Sequence, residues 1–399
     1  MKHVQLVEQS YDFKQMFDSM ALDITLSDMY DRGLNDDTLV LLKEANTNIN
    51  MSVNTPFGKT KPVHLEKIVA QGDLMAPLEA AVQVDSVARA LEEEDEAREV
   101  EGRPGILYRY MDTVPIPILS LMDDCYVISE SGYKAELINT FMNAQSASKG
   151  LQFNKDKCKT LKIGGSGENI LSTSLQVDSW DIKYDDDENI IETEGKKTPM
   201  LEKEEVKYLG FIISGNARNV KNITARRNKS NNTLRNIKSM ILGLGTYTVE
   251  SGIIYFKSLL RSSLLYAAET YYNMTEQELR LIETKEEECL CKIIETGCKS
   301  PAAILYLEFG VLPARFQIRI MMLNFLHYIL HQEKESLLHR FFEAQLNNPV
   351  KGDWISQIKN ILKLLNIDNT FEEIKSMKIK KSLWKLLVRK QNTLLLHIC

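Results

Sequence analysis

The first 214 residues alternate short apolar runs with longer amphipathic stretches, a pattern typical of strands mixed with helices. Predicted strands lie at residues 4–13, 48–53, 60–65, 118–122, 125–128 and 206–214. Predicted helices cover 18–32, start at Asp36 and at Pro77, and cover 132–150. The polar stretch 164–200 predicts an exposed excursion before the strand 206–214.

Apolar residues after position 214 recur at intervals of three and four, which is the spacing of one helix face. Predicted helices cover 247–273, 276–296, 313–343, 353–366 and 371–397. The pattern therefore predicts an α+β region followed by an all-helical C-terminal region.

Composition indicates a folded protein away from a membrane. The chain has 399 residues, 44% of them apolar, which suffices for a sizeable core and two or three domains. No window approaches the ~18 apolar residues of a membrane helix, and the start lacks a signal-peptide core. We therefore expect an intracellular location, nuclear or cytoplasmic, with no membrane partner. The six cysteines lack framework or zinc-ligand spacing and are expected to be free thiols.

Charge is divided unevenly along the chain. The net charge is −6, which by itself argues against binding a polyanion. Residues 1–150, however, contain 13 basic and 25 acidic residues, whereas the remainder contains 36 basic and 30 acidic ones. This asymmetry suggests a cation-holding first part and a second part that contacts a polyanion.

Three acidic residues are candidates for a metal site. Asp123 and Asp124 separate two apolar strands, where a carboxylate pair most often forms a turn, and Asp12 ends another predicted strand. Pairing of these strands would bring the three carboxylates together, and two carboxylates about 4 Å apart repel by about 4 kcal/mol at an effective dielectric near 20. Such a cluster implies divalent cations. Two Mg²⁺ ions held by oxygen ligands serve in-line nucleotidyl transfer.

The segment 214–240 is the strongest candidate for binding a polyanion. It contains no acidic residue, whereas a solvated helix face usually carries both signs. Its basic residues are Arg218, Lys221, Arg226, Arg227, Lys229, Arg235 and Lys238.

Several motifs resemble those of reverse transcriptases. Residues 12–18 (DFKQMFD), 71–78 (QGDLMAPL) and 121–124 (LMDD) resemble palm motifs of this family, and they occur in the family's order. Residues 150–158 (GLQFNKDKC) resemble its fourth palm motif and 207–211 (KYLGF) its primer grip. Residues 263–270 (SLLYAAET) are similar to the thumb of non-LTR retrotransposon polymerases. Each motif alone is weak evidence for the family. The four palm motifs and the primer grip together, in the family's order, are a specific signal.

The resemblance implies a fold and a reaction. It implies a palm over 1–214 with the fingers largely missing, a helical thumb over 215–345 and a C-terminal helical segment over 346–399. The implied reaction is RNA-directed DNA synthesis with two Mg²⁺ ions, an RNA template, a DNA primer and deoxynucleoside triphosphates. Only eleven residues precede Asp12, and Ala76 stands where the family usually has Ser. We therefore expect a truncated polymerase, weak or inactive alone. The alternative is a non-catalytic nucleic-acid-binding remnant that uses residues 214–240.

The resemblance also implies individual roles. Asp12, Asp123 and Asp124 would be the metal ligands, and Lys157 would protonate the leaving pyrophosphate, although it could equally be one of several solvated lysines.

The remaining roles concern the nucleotide and the primer. Phe17 would exclude a 2′-hydroxyl, while Gln71 and Gly72 would lie against nucleotide and template. The primer end would be steadied by Tyr208, Leu209 and Gly210. Without the carboxylate pairing, Phe17 and Tyr208 would be ordinary core aromatics.

Overall fold

The computed structural model describes eight ranges of the chain: 5–67, 75–164, 174–184, 190–216, 218–243, 248–293, 301–364 and 371–376. Contacts divide the chain into two compact units. Unit 1 comprises Met1–Arg109, Pro115–Tyr208 and Ser214–Ala217, and unit 2 comprises Tyr110–Val114, Leu209–Ile213 and Arg218–Cys399.

The first part of the chain combines strands and helices. Its strands are β1 (Leu6–Asp12), β2 (Thr47–Met51), β3 (Asn54–Thr55), β4 (Gly58–Lys59), β5 (Val63–Lys67), β6 (Tyr108–Tyr110), β7 (Val114–Ile116), β8 (Leu119–Leu121), β9 (Asp124–Ser129), β10 (Lys159–Ile163), β11 (Gln176–Tyr184), β12 (Ile190–Pro199), β13 (Leu201–Lys203), β14 (Glu205–Tyr208) and β15 (Phe211–Ser214). Its helices are α1 (Met16–Ser19), α2 (Leu22–Asp31), α3 (Asp36–Ala45), α4 (Ala76–Val100) and α5 (Gly132–Ser148).

A five-stranded sheet in the order β13-β10-β1-β9-β8 organises unit 1. The strand β1 is antiparallel to both β9 and β10, while β13 runs parallel to β10. Because side chains alternate across a strand, β1 has two different faces.

One face of β1 is covered by helices. Tyr11 is fully buried, and its hydroxyl donates to Oδ1 of Asn139 on α5 at 3.0 Å. Gln9 donates from Nε2 to the carbonyl oxygen of Ala135 at 2.7 Å. The core behind this face includes Leu91 of α4 and Met142 of α5. The other face of β1 therefore carries Glu8, Ser10 and Asp12.

Two sequence predictions in this part are corrected. The stretch 164–200 is not wholly exposed. Its strands β11 and β12 pair as an antiparallel hairpin, and Val177 of β11 is fully buried in the unit 1 core. The predicted strand 206–214 is a hairpin of β14 and β15, because the backbone reverses at Leu209 and Gly210, both of which have positive φ.

The described residues after 216 contain helices and loops without strands, as predicted. The α-helices are α6 (Val220–Gly243), α7 (Val249–Tyr255), α8 (Ser262–Leu264), α9 (Glu276–Ile293), α10 (Ala302–Glu308), α11 (Ala314–Leu330), α12 (Leu337–Asn347), α13 (Trp354–Leu364) and α14 (Phe371–Ser376). A π-helix at Phe256–Arg261 and a 3₁₀ turn at Ala268–Thr270 interrupt the predicted helix 247–273.

The core of unit 2 runs from the predicted thumb into the later helices. Ile355 and Ile358 of α13 belong to the same buried cluster as Leu323 and Leu326 of α11. The division at residue 345 therefore stays a prediction. No helix among the described residues is long and apolar enough to cross a membrane.

Candidate active site

The two neighbouring aspartates occupy different structural positions. Asp124 is the first residue of β9 and pairs with Leu121 of β8, so the reversal lies at Met122 and Asp123. Met122 has a φ of 53°. The sequence placed both carboxylates at the hairpin tip; the structure leaves Asp123 in the turn and puts Asp124 in the sheet.

Strand pairing brings the three predicted carboxylates to one end of the sheet. Asp12 lies directly opposite Asp124 in the antiparallel register of β1 and β9. The backbone amide of Phe13 donates to the carbonyl oxygen of Asp123 at 3.3 Å, which holds the turn against the end of β1. The strand register and this hydrogen bond therefore bring Asp12, Asp123 and Asp124 to the same end of the sheet.

Two of the three carboxyl groups, those of Asp12 and Asp124, have raised pKa values. Burial, followed by the charges of Asp123 and Asp12, raises the pKa of Asp124. Burial also raises the pKa of Asp12, with a further contribution from Asp123, while Lys157 opposes the rise. This end of the sheet therefore favours a cation.

The ammonium of Lys157 supplies positive charge to Asp12. Its Nζ lies 3.0 Å from Oδ1 and 3.1 Å from Oδ2 of Asp12, and the ion pair raises the pKa of Lys157. The loop that carries Lys157 is anchored to β1, because the amide of Asn154 donates to the carbonyl oxygen of Asp12 at 2.7 Å. The Lys157 side chain is 59% exposed and can move away without unfolding its surroundings.

The donor set suits a hard divalent cation, since carboxylate oxygens are the ligands that Mg²⁺ prefers. Oδ1 of Asp12 is buried and accepts no well-aligned hydrogen bond. In the part of the chain that the structure describes, however, no three His, Cys, Asp or Glu side chains are grouped closely enough to hold a metal. The ligand chemistry therefore fits, whereas the present side-chain arrangement pairs Asp12 with Lys157.

Of the three residues predicted to contact the nucleotide or the template, one lies in the described part of the chain. Phe17, on α1, is half-buried and packs against the unit 1 core. Gln71 and Gly72 lie outside the described residues.

The predicted primer residue Tyr208 is held by unit 1. Its ring lies 4.8 Å from that of Tyr126, and its hydroxyl donates to the carbonyl oxygen of Leu119 at 3.1 Å. Burial raises the pKa of Tyr208 to about 12. Tyr208 is thus fixed on β14, immediately before the turn at Leu209 and Gly210.

Arg226, predicted to belong to a polyanion-binding surface, is buried in the structure. It is only 6% exposed, and its guanidinium donates to the carbonyl oxygen of Gly210 and stacks on Tyr266 at 4.2 Å. Its charge therefore faces the protein rather than a phosphate. Arg218, Lys229 and Arg235 are exposed, Lys221 and Arg227 are half-buried, and the side chain of Lys238 lies outside the described residues. A nucleic-acid role for the segment stays a prediction.

Three residues near the carboxylates were missed at the level of sequence. Glu8 shares a face of β1 with Asp12 and is fully buried, and burial raises its pKa to about 7. Tyr126 lies opposite Ser10 on β9, and Lys159 lies opposite Ser10 on β10. The charge of Lys159 opposes part of the rise in the pKa of Asp12 and of Asp124. The alternation of β1 placed Glu8 on the Asp12 face, but only the register could add Tyr126 and Lys159.

Comparison with known proteins adds a family match. Residues 7–213, just over half of the chain, match the family model described as reverse transcriptase (RNA-dependent DNA polymerase). No curated protein is significantly similar in sequence.

Solved structures of yeast telomerases also show similarity. Telomerase from Candida albicans with a TWJ fragment of telomeric RNA aligns with a TM-score of 0.42 and 10% identity, over 77% of this chain and 50% of that chain. Apo telomerase from Candida tropicalis aligns with a TM-score of 0.39 and 10% identity, over 97% of this chain and 53% of that chain. The chain thus spans about half the length of these telomerases.

Proposed function

The chain belongs to the reverse transcriptase (RNA-dependent DNA polymerase) family, and on this premise we propose that it performs RNA-templated DNA synthesis at Asp12, Asp123 and Asp124. One observation carries the proposal: the antiparallel register sets Asp12 opposite Asp124, with Asp123 in the adjoining turn. The matched region contains all three residues.

The three carboxylates are the proposed ligands for two Mg²⁺ ions. Bound Mg²⁺ would supply the positive charge that lowers the pKa of an attacking 3′-hydroxyl and neutralises a triphosphate. Because the pKa of Asp12 and of Asp124 is raised, metal binding must displace protons at acidic pH. It must also displace Lys157 from Asp12.

Once displaced from Asp12, the ammonium of Lys157 is proposed to act as a proton donor. A lysine ammonium is protonated at neutral pH even without Asp12 beside it, and the Lys157 side chain is 59% exposed. A protonated Nζ beside the triphosphate could donate to the leaving pyrophosphate. Phe17, Gln71 and Gly72 are proposed to contact the incoming nucleotide and the RNA template.

Extension by the isolated chain is expected to be weak. Asp12 is paired with Lys157, and the described side chains form no ready group of three metal ligands. The free energy needed to rearrange them reduces metal affinity.

A primer-extension assay tests the proposal. The full chain is incubated with an RNA template, a DNA primer, deoxynucleoside triphosphates and Mg²⁺. We expect slow extension that requires Mg²⁺, is lost in Asp123→Asn, and persists in Asp112→Asn, a control at an exposed aspartate with positive φ. Extension that survives Asp123→Asn would place the chemistry elsewhere, and its absence from the unmodified chain would refute polymerase activity.

We further propose an origin in a non-LTR retrotransposon. The support is the sequence of residues 263–270, which resembles the thumb of that class.

The second candidate function is binding of nucleic acid without catalysis. Among the described side chains of the segment 214–240, those of Arg218, Lys229 and Arg235 are basic and exposed. This hypothesis predicts salt-dependent binding that Asp123→Asn leaves unchanged and that Lys229→Ala with Arg235→Ala weakens. Indifference to that double substitution would exclude the segment as the binding surface.

A further inference from the structure

The turn between β14 and β15 has a conformation that its own sequence does not favour. Leu209 has a φ of 46° and Gly210 a φ of 80°. Positive φ at both central residues is the geometry of a type I′ hairpin turn, for which Asn-Gly or Gly-Gly is preferred. Leucine in the left-handed region is uncommon because its Cβ crowds the backbone. Contacts from elsewhere must therefore hold the turn.

Arg226 supplies the first of these contacts. Its guanidinium donates from Nη2 to the carbonyl oxygen of Gly210 and lies 4.2 Å from the ring centre of Tyr266. Arg226 is only 6% exposed, and its hydrogen bond to Gly210 is partly buried. A charged donor to a partly buried carbonyl is among the stronger hydrogen bonds in proteins.

Tyr266 supplies the second contact. Its hydroxyl donates to the carbonyl oxygen of Leu209 at 2.7 Å, while its ring supports the guanidinium of Arg226. The two consecutive carbonyl groups of the turn are thus bound by two side chains that also contact each other.

Asn222 fixes the strand that leaves the turn. Its Oδ1 accepts from the amide of Ile212 at 3.2 Å, and its Nδ2 donates to the hydroxyl of Tyr271 at 2.9 Å. Asn222 and Arg226 are four residues apart, so they project from one side of α6. The α6 helix therefore holds the turn at Gly210 and the strand after it at Ile212.

We propose that Arg226 and Tyr266 are positioning residues for the primer terminus, acting through the backbone of Leu209 and Gly210. This inference rests on the proposed polymerase function and on the resemblance of residues 207–211 to a primer grip, which implies that this turn steadies the primer end. Within the segment 214–240, Arg226 then organises the protein, while Lys229 and Arg235 are exposed to solvent and can contact phosphate. Tyr266, in the thumb-like stretch 263–270, acquires a role through Leu209.

The competing role for Arg226 is a direct contact with a phosphate. A phosphate contact contributes about 0.7–0.9 to the slope of log affinity against log salt. Loss of a positioning contact leaves that slope unchanged and weakens the productive placement of the primer end instead. Tyr266→Phe separates the two roles further, because it removes one hydroxyl without changing charge.

The experiment compares five forms of the full chain: unmodified, Arg226→Met, Tyr266→Phe, Lys229→Ala and Tyr133→Phe. Arg226→Met removes both the hydrogen-bond donor and the charge. Tyr133 is a 69% exposed tyrosine and serves as the control for hydroxyl removal. Lys229 is exposed, and Lys229→Ala is the contrast expected to lower the salt slope. Hydrogen exchange over residues 209–213 is measured without nucleic acid. Primer–template affinity across salt concentrations, and KM and kcat of extension, are then measured.

We expect faster hydrogen exchange over residues 209–213 in Arg226→Met and Tyr266→Phe, by about tenfold for a lost hydrogen bond of typical strength. The salt slope should stay unchanged in both, and KM for primer–template should rise several-fold in proportion to the exchange effect. Exchange no faster than in Tyr133→Phe would show that Arg226 and Tyr266 do not hold the turn. Faster exchange with unchanged KM, or a salt slope reduced in Arg226→Met, would overturn the positioning role. If the unmodified chain extends no primer, the proposed function fails, and affinity for a primer with a recessed 3′ end over a blunt duplex decides the positioning role instead.

Discussion

Replacement of the buried Glu8 by Gln should make the chain more stable at alkaline pH but not at acidic pH. Glu8 is fully buried on β1, between Ile128 of β9 and Leu161 of β10 in the strand register. Burial raises its pKa from 4.5 to about 7, and the nearby hydroxyl of Tyr126 opposes part of the rise. Gln has almost the same shape and cannot ionise.

The magnitude follows from the size of the pKa change. A rise from 4.5 to about 7 corresponds to a free-energy difference of about 3 kcal/mol, at about 1.4 kcal/mol for each pKa unit. Because the folded state binds the Glu8 proton more tightly than the unfolded state, this contribution to stability is complete below pH 4.5. It is lost as the pH rises through about 7, and it changes little at higher pH.

Urea unfolding at a series of pH values from 4.5 to 8.5 measures the effect. The free energy of unfolding of Glu8→Gln, relative to the unmodified chain, should increase by about 3 kcal/mol across this range. Glu96→Gln, at an exposed position on α4, controls for the general effect of losing one charge. Parallel pH profiles for Glu8→Gln and the unmodified chain would refute the assignment of a raised pKa to Glu8.

Three further substitutions test the fold. Gly210→Ala should destabilise by about 1–2 kcal/mol in urea unfolding, because a Cβ at φ 80° is strained and would lie 3.4 Å from a guanidinium nitrogen; Gly33→Ala, at φ 85° in open space, should show the strain alone. Arg261→Met should lower the free energy of unfolding by about 3–5 kcal/mol, since it leaves the fully buried carboxylate of Glu286 without its cation; adding Glu286→Gln should restore most of that loss. Asp124→Asn should raise the free energy of unfolding without metal by about 1 kcal/mol, because the amide removes repulsion between carboxylates. A lower urea concentration at the unfolding midpoint would contradict this account.

Local pattern was sufficient for much of the fold. The alternation of residues 4–13 predicted β1, and the spacing after residue 214 predicted a helical region, since side-chain period is set by local backbone geometry. The prediction of one continuous helix over 247–273 was wrong, because Ala267, with a φ of 57°, leaves the right-handed helical conformation just before the 3₁₀ turn. A short non-glycine turn leaves no clear composition signal.

The acidic cluster was predictable in membership but not in geometry. Two apolar strands around Asp123 and Asp124 indicated a hairpin, and Asp12 ended a strand that could pair with it. Only the register shows that Asp12 faces Asp124, and only the three-dimensional structure shows Lys157 on Asp12. Lys157 is distant from Asp12 in sequence, and nothing local encodes their contact.

The sequence by itself determined the alternation of strands and helices, the acidic first part and the acid-free basic segment, because each depends on residue identity and spacing along the chain. The tertiary structure alone decided that Arg226 is buried against Gly210 and Tyr266, whereas Lys229 and Arg235 on the same helix stay exposed. All three are long cationic side chains with similar local preferences. What separates them is which face of α6 is covered by the turn of another segment, and that depends on packing between residues far apart in the chain.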